Sequence, residues 1–249
     1  MRPQSDVNKR RTRLDFKKTI LWRRMGLPLD NSGHLMPDHV HQAQAESILF
    51  KFLIRLMCQL VNSSLGNPTE WSAINEEFDR WRAILPLTFS SISWPHLPRK
   101  NDAQEAASPD LFSHEIWYAR DICALSMAFY NMARILLLIH RPLDVFLRSA
   151  QQNPDLLTTY HSFQQDLRSH AMEVISIARG APNGTVRKYL LQPLYVAGRC
   201  LVDANDRQEL LDILRQIDDD LGVFTDYRQR DLSEEWGIPY QPVEKNIVP

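Results

Sequence analysis

The sequence predicts an all-α fold, a single domain of about eight to ten helices. Glycine is scarce and proline is common, with 8 and 15 residues among 249, and this balance is typical of helices separated by proline-containing turns. Apolar residues recur at intervals of three and four over long windows, which is the period of an amphipathic helix. No stretch alternates apolar and polar residues convincingly, as a half-buried strand would.

The spacing of apolar residues and the positions of helix breakers define the predicted helices. In chain order they cover approximately residues 14–25, 37–62, 68–85, 113–140, 143–150, 155–179, 186–202, 205–221 and 225–236. The third helix has the clearest start, because Asn67 can cap it, Pro68 occupies its first turn and Glu70 follows the cap by three residues. The same helix ends at Pro86, since proline cannot continue a helix.

A stripe of large apolar side chains runs along this third helix. Its members are Trp71, Ile74, Phe78, Trp81 and Leu85, at intervals of three, four, three and four residues. Residues at this spacing share one helical face. Such a stripe can line a ligand pocket, but burial in the core is its more common role. We therefore predict that Trp71, Phe78, Trp81 and Leu85 are buried together.

Three further features organise the remaining elements. Residues 86–109 contain four prolines and a polar run, which predicts a long proline-bearing loop. The helix over 113–140 is apolar on most sides, which is typical of a central buried helix. Pro193 lies inside the predicted helix 186–202, where it is expected to introduce a kink.

Charge and composition divide the chain into a basic arm over residues 1–13, a helical domain over 14–237 and a tail over 238–249. Residues 1–24 carry nine Lys or Arg and two Asp, whereas the rest of the chain carries 20 basic and 28 acidic side chains. We predict disorder for both the arm and the tail. The basic start is interpreted first as a solvated segment, second as a nuclear-import address and third as a DNA-contacting arm.

Cysteine usage and hydropathy suggest the compartment. The three cysteines are odd in number and far apart in sequence, at Cys58, Cys123 and Cys200. They predict neither a disulfide framework nor a paired-cysteine zinc site, so a reducing compartment is expected. The apolar run over 48–61 is too short to span a bilayer and is interrupted by Lys51 and Arg55. We predict no membrane association and a nuclear, otherwise cytoplasmic, location.

The chain contains none of the common catalytic or nucleotide-binding motifs. Glycine-rich phosphate loops, the G-x-S-x-G nucleophile turn and H-E-x-x-H are absent, so no catalytic residue and no cofactor is predicted. One short stretch carries side chains that are able to bind a metal ion, namely His34, Asp38, His39 and His41. Because no second ligand cluster exists elsewhere, a polar loop is the favoured interpretation and no metal site is predicted.

Other titratable residues have structural interpretations. His140, His161 and His170 fall on predicted helices, where capping or packing is favoured over catalysis. Asp218, Asp219 and Asp220 are adjacent in sequence, so they point in different directions on a helix and are predicted to form a solvated face. They do not constitute the paired carboxylates of a general acid–base site.

Three blocks occur in an ordered pattern along the chain. The first is carried by Trp71, Trp81, Leu85, Pro86 and Phe89. The second is the long helix that ends in the run "ILLLIHRP". The third is carried by Gly198, Leu201, Asp203, Leu211, Ile213, Leu214, Leu232, Glu235, Trp236 and Gly237. Together they resemble the fungal-specific transcription factor domain, the regulatory region of binuclear zinc-cluster transcription factors. Upstream, Trp22 and Arg24 match the W-x-R-x-D motif of that family, whose acidic position is Gly26 here.

The resemblance implies a helical regulatory or interaction domain that acts in transcription, possessing no catalytic residues. It implies regulation of a metabolic or secondary-metabolite pathway, and it leaves open a protein partner, a homodimer and a small-molecule effector. The six-cysteine zinc cluster of the family is missing, so the chain resembles the C-terminal portion of such a regulator. We therefore expect no sequence-specific DNA binding by this chain alone, since no placed element supplies base contacts.

Two alternatives to this function remain. One is a small helical enzyme or ligand-binding protein of a fungal biosynthetic pathway that reuses the scaffold. Its pocket would be lined by Trp and Tyr with polar residues such as His114, Glu115 and Arg120. The other is an inhibitor that pairs with a full-length regulator. An enzyme is the less favoured class, because the sequence shows no catalytic constellation.

Overall fold

The computed structural model describes residues 19–40, 44–63, 66–95, 114–145, 156–180 and 182–240. In these ranges the helices are α1 (Thr19–Arg24), α2 (Ala45–Asn62), α3 (Pro68–Ala83), α4 (Asp121–Ile139), α5 (Leu156–Arg179), α6 (Gly184–Tyr189), α7 (Leu191–Gly198), α8 (Ala204–Leu221) and α9 (Asp226–Trp236). Two short 3-10 helices cover Pro37–His39 and Leu87–Phe89. Two strands, β1 (Ser91–Pro95) and β2 (His114–Tyr118), form one antiparallel ribbon. The predicted all-α, single-domain class is confirmed.

Helix α4 is the centre of the fold. It contacts α2 and α3 from the first half of the chain, and α5, α6 and α7 from the second half. Eleven of its side chains are buried, from Cys123 to Leu137, as expected for a helix that is apolar on most sides. By length and composition α4 is also apolar enough to cross a membrane, with a mean hydropathy of 1.8, and 61% of that stretch is buried within the fold. The most apolar run therefore lies here and not at 48–61.

The aromatic stripe of α3 faces the core, as predicted. Trp71, Phe78 and Trp81 are buried, while Leu85 is half-buried against the same core. Each tryptophan also satisfies its indole N–H. Trp71 Nε1 donates to the carbonyl of Leu137 at 2.8 Å, and Trp81 Nε1 donates to the carbonyl of Leu49 at 2.9 Å. The stripe thus joins α3 to both α2 and α4. The Asn67 cap is confirmed, since its side chain accepts from the backbone N–H of Thr69.

The ribbon is the main departure from the predicted elements. Residues 113–120 were predicted as the start of the central helix, but His114–Tyr118 pair with Ser91–Pro95 and α4 begins only at Asp121. Ile116, Trp117 and Tyr118 are β-branched or aromatic, which are the residue types that suit a strand once a partner strand is available. Residues 91–95, predicted as loop, supply that partner. Residues 96–113 of the predicted loop lie outside the described residues.

The ribbon lies close against the end of α5. A Cβ atom added at Gly180 would lie 2.3 Å from the carbonyl oxygen of Ile116. No side chain fits in that space, so the approach of β2 to α5 requires glycine at this position. On the outer face, Ile92 and Trp117 form an exposed cross-strand pair.

Two other predicted helices have different boundaries. The helix predicted over 37–62 is a 3-10 turn at Pro37–His39, followed by extended backbone at Val40, and α2 begins at Ala45. The helix predicted over 186–202 is divided into α6 and α7 at Leu190. Pro193 explains that break, because it lacks the N–H that would bond to the carbonyl of Tyr189 and its ring crowds that carbonyl. The proline then sits in the first turn of α7, where it is tolerated.

The predicted closing helix is confirmed as α9. Leu232 is fully buried and Trp236 is half-buried against the core. Trp236 Nε1 donates to the carbonyl of Gly198 at 3.1 Å, so the helix docks onto the end of α7. Gly237 has a φ of 69° and caps α9 in the left-handed conformation predicted for it.

Several predictions fall outside the described residues. These are the basic arm over 1–13, residues 14–18 of the first predicted helix, most of the predicted helix at 143–150, and residues 241–249 of the tail. Before that point, the backbone N–H of Ile238 bonds to the carbonyl of Ser233, and the hydroxyl of Tyr240 donates to the carboxylate of Asp226.

Candidate functional site

A groove of about 1290 Å³ lies along one face of α5. Its floor is formed by α5 residues from Tyr160 to Ser176 that recur at helical spacing. One wall is the inner face of the ribbon, which contributes Ser91, Ser93 and Ile116. The turn between α7 and α8 and the start of α8 also line the groove, through Arg199, Cys200, Val202, Asp203 and Ala204. We call this feature the α5 groove.

The lining of the α5 groove is amphipathic. Its apolar side chains are Ile116, Phe163, Leu167, Met172 and Val202. Its uncharged polar side chains are Ser91, Ser93, Gln164, Gln165, Ser169 and Ser176, together with Tyr160. A concave surface with apolar walls and several polar groups is the usual setting for an organic ligand.

The two arginines of the groove are already paired. Arg168 Nη2 is 3.2 Å from Oδ2 of Asp206, a buried residue in the first turn of α8. Arg199 Nε donates to both carboxylate oxygens of Glu235, at 3.0 and 2.9 Å. The guanidinium groups therefore border the groove without adding an uncompensated positive charge.

Glu173 is the acidic residue of the groove floor. Its side chain is half-buried, and burial raises the pKa of its carboxyl, while the guanidinium of Arg82 acts in the opposite direction. Burial and the nearby Glu173 carboxylate raise the pKa of the Tyr118 hydroxyl, which is hydrogen-bonded to Ser91. Within the described ranges, no hydrogen bond reaches the Glu173 carboxylate, and Glu173 is one of the residues that line the groove.

The thiol in the groove is poorly suited to nucleophilic chemistry. Cys200 is half-buried and its Sγ donates to the carbonyl of Val196. Burial raises the pKa of this thiol to about 11, so the reactive thiolate is scarce at neutral pH. The chemistry that the α5 groove offers is hydrogen bonding and apolar contact.

Of the residues considered as metal ligands, His34 has other contacts. His34 Nδ1 lies 2.6 Å from Oε1 of Glu77, and its backbone N–H bonds to Asp30. Asp38 and His39 lie exposed on the 3-10 turn, and His41 is outside the described residues. Among the residues described, no group of three or more His, Cys, Asp or Glu side chains is placed to hold a metal ion.

Two of the polar residues assigned to a pocket in the enzyme alternative, Glu115 and Arg120, are absent from the described lining of the α5 groove. Arg120 Nη1 is 3.0 Å from Oε2 of Glu46, a buried residue at the start of α2. Glu115 accepts from Trp117 Nε1 on β2, and the side chain of His114 lies outside what the structure describes. The described side chains of Glu115 and Arg120 thus contact different partners, Trp117 and Glu46.

The acidic run on α8 departs in one position from the predicted solvated face. Asp219 is exposed and Asp220 is exposed with Arg187 Nη1 at 2.7 Å from its Oδ2. Asp218, in contrast, is buried. Because successive helical residues point in different directions, a run of three acids cannot remain on one face of an amphipathic helix.

Two of the three helical histidines, His140 and His170, have capping or packing positions. His140 Nδ1 contacts the carbonyl of Leu136 at 2.8 Å at the end of α4, which confirms its capping role. His161 is exposed on α5. His170 Nδ1 is 2.8 Å from Oδ1 of Asn131. Since Asn131 Nδ2 donates to the carbonyl of Met127, Oδ1 must accept, and the network assigns the proton to Nδ1 of a neutral His170.

His170 is expected to make the protein less stable in mild acid. Burial, with help from Arg134, lowers its pKa from 6.5 to about 4. The unfolded chain therefore binds a proton at His170 as pH falls below about 6.5, while the folded chain does not until about pH 4, and folding loses stability across that window. We predict that His170→Gln gains stability relative to the parent chain as the pH is lowered from 7.5 to 4.5. The quantity measured is the difference between their free energies of unfolding in urea.

The matched control is His161→Gln on the exposed side of the same helix. A difference between His170→Gln and the parent chain that stays constant with pH would show that His170 is protonated equally in both states, contrary to its buried contact with Asn131.

Sequence reasoning missed the α5 groove, although one signal was present. Glu173 interrupts the apolar run "AMEVISIA" on α5, and an acidic residue inside an otherwise buried stretch often marks a site. The pairing of Arg168 with Asp206 joins two helices distant in sequence, so no local pattern indicates it.

The comparison with known proteins connects the chain to transcription. It is 30% identical to the protein named Transcription activator AMTR1 of Alternaria alternata, over 92% of this chain and 33% of that protein. The chain spans about a third of the length of this relative. It is thus related, over most of its length, to part of a transcription activator. No protein-family model and no solved structure matches the chain.

Proposed function

We propose that this chain is a regulatory and interaction region of a fungal transcription regulator. The observation that carries the proposal is the similarity over nearly the whole chain to a protein named as a transcription activator. The three sequence blocks that resemble the fungal-specific transcription factor domain support the finer assignment. We further propose a nuclear location and control of a metabolic or secondary-metabolite pathway.

The residues of the first and third blocks have structural roles, which is expected for a domain that acts through its surfaces. Trp81 and Phe89 contact edge to face, with ring centroids 6.1 Å apart. The side chain of Asp203 accepts from the backbone N–H groups of Asn205 and Asp206 and so caps α8. Because these residues build the core and helix ends, the block pattern specifies a scaffold and leaves the surface free to differ between regulators.

The charge distribution supports a regulator in which sequence-specific DNA binding is provided by a region or protein other than this chain. Outside residues 1–24 the chain carries an excess of acidic side chains, and an acidic body repels the phosphate backbone. A short basic arm supplies salt-sensitive, non-specific affinity only. We propose that this chain alone binds no specific DNA sequence and that it acts through a protein partner or a second copy of itself.

The proposal is tested by tethering. The full chain is fused to a heterologous DNA-binding module and placed upstream of a reporter gene in a fungal host. We expect reporter transcription to change several-fold relative to the DNA-binding module alone. The untethered chain, assayed by gel shift with and without residues 1–24, is expected to show no preference among duplexes. Unchanged reporter output at equal protein level would overturn the regulatory assignment. Selective binding of one duplex at physiological salt would overturn the proposal that this chain alone binds no specific DNA sequence.

A further inference from the structure

We propose that the α5 groove binds an amphipathic small molecule whose polar end, an ammonium or hydroxyl group, donates a hydrogen bond to the carboxylate of Glu173. Calling this molecule an effector of transcription rests on the proposed function above, whereas its binding does not. The inference follows from the shape of the groove, from the charges along it and from the surroundings of Glu173.

The shape favours an elongated organic molecule. The floor follows α5 from Tyr160 to Ser176, and the sixteen residue-to-residue steps between them rise about 24 Å along the helix axis. Apolar side chains from three elements border this floor, including Ile116 on β2, Phe163 on α5 and Val202 before α8. Val202 is 78% exposed, so an apolar ligand body would cover surface that now contacts water, which is favourable.

The charges disfavour an anionic ligand. A carboxylate or phosphate would need a free cation, but Arg168 is paired with Asp206 and Arg199 with Glu235. It would also lie beside the like charge of Glu173. Breaking an existing charge-assisted pair leaves its carboxylate without a partner, which offsets the gain from the new contact.

Glu173 favours a hydrogen-bond donor. Its carboxylate is half-buried and receives no hydrogen bond from the residues described. The nearby guanidinium of Arg82 has its Nη1 at 3.8 Å from the sulfur of Met127, and the Tyr118 hydroxyl is hydrogen-bonded to Ser91. A half-buried acceptor without a donor loses solvation, and the charge of Arg82 offsets this loss only in part, since burial still raises the pKa of Glu173. An ammonium or hydroxyl group in the groove supplies the missing donor.

The experiment uses three fluorescent probes with the same dansyl group and alkyl chain, ending in a primary amine, an alcohol or a carboxylate. Each is titrated against the full chain at neutral pH, and binding is followed by dansyl emission and anisotropy. We expect the amine and alcohol probes to bind with micromolar Kd and the carboxylate probe to bind at least about tenfold more weakly. Equal affinity for all three probes, or no binding of the amine and alcohol probes, would overturn the proposal.

Two variants and one control locate the site. Glu173→Gln is expected to weaken the amine probe about tenfold and to remove its advantage over the carboxylate probe. Ser169→Trp, at an exposed position of the groove floor, is expected to weaken all probes by filling the groove without disturbing the core. Glu234→Gln is the matched control on the exposed surface of α9. If Glu173→Gln and Ser169→Trp both bind the probes like the parent chain, the groove is not the site. Because the assay uses purified protein, its outcome is independent of the reporter experiment.

Discussion

Replacing Trp81 by alanine is expected to lower the free energy of unfolding by about 3–5 kcal/mol, the usual cost of truncating a buried aromatic side chain. Trp81 is fully buried, stacks on Tyr130 with ring centroids 5.3 Å apart and donates its indole N–H to the carbonyl of Leu49. The substitution therefore opens a cavity between α2, α3 and α4 and removes one hydrogen-bond donor from the carbonyl of Leu49. Thermal unfolding should shift downward by roughly 2–4 °C for each kcal/mol lost.

The matched control for this prediction is Trp117→Ala. Trp117 is 50% exposed on the outer face of the ribbon, and surface substitutions of this kind usually change stability within about 0.5 kcal/mol. Equal unfolding free energies for Trp81→Ala and Trp117→Ala would mean that the α3 stripe does not hold the core together.

Removing residues 231–249 is the second change with a large expected effect. It deletes Leu232, which is fully buried, and Trp236, which packs on the core and donates to the carbonyl of Gly198. It also removes Glu235, the partner of Arg199. Burial of a large apolar side chain contributes about 1.5–3 kcal/mol, so a loss of at least about 3 kcal/mol is expected in urea unfolding.

The comparison for this truncation is removal of residues 241–249 alone. These residues lie beyond the α9 cap and beyond the contact of Tyr240 with Asp226, and their sequence has no periodic apolar face. We expect the shorter deletion to leave the unfolding free energy nearly unchanged. Equal stability of both truncated chains would show that α9 is not docked on the core.

Local sequence patterns were sufficient to predict the elements whose buried face or whose ends are specified by residues close together in the sequence. The interval of three and four residues from Trp71 to Trp81 defines a buried face whichever helix covers it. Asn67 followed by Pro68, and Gly237 after Trp236, specify helix ends through local hydrogen bonds and backbone conformation. These elements were therefore predicted correctly.

The ribbon and the groove depend on contacts between distant segments. Ile116 lies on a strand only because Ser93 lies opposite it, and the two residues are separated by a long connection that carries no pairing signal. The same holds for Arg168 with Asp206 and for Arg199 with Glu235. Glu173 had a local signal, an acid in an apolar run, but its meaning depends on the space left between α5, the ribbon and the α7–α8 turn.

The central position of α4 has a consequence for folding cooperativity. Its buried side chains are covered on one side by α2 and α3 and on another by α5, α6 and α7. Neither half of the chain contains all of these partners, so a nascent chain that ends after α4 exposes a helix with a mean hydropathy of 1.8. Exposed apolar helices of this kind promote aggregation. We therefore expect productive folding of α4 to require α5, α6 and α7 as well as α2 and α3, because all five contact it.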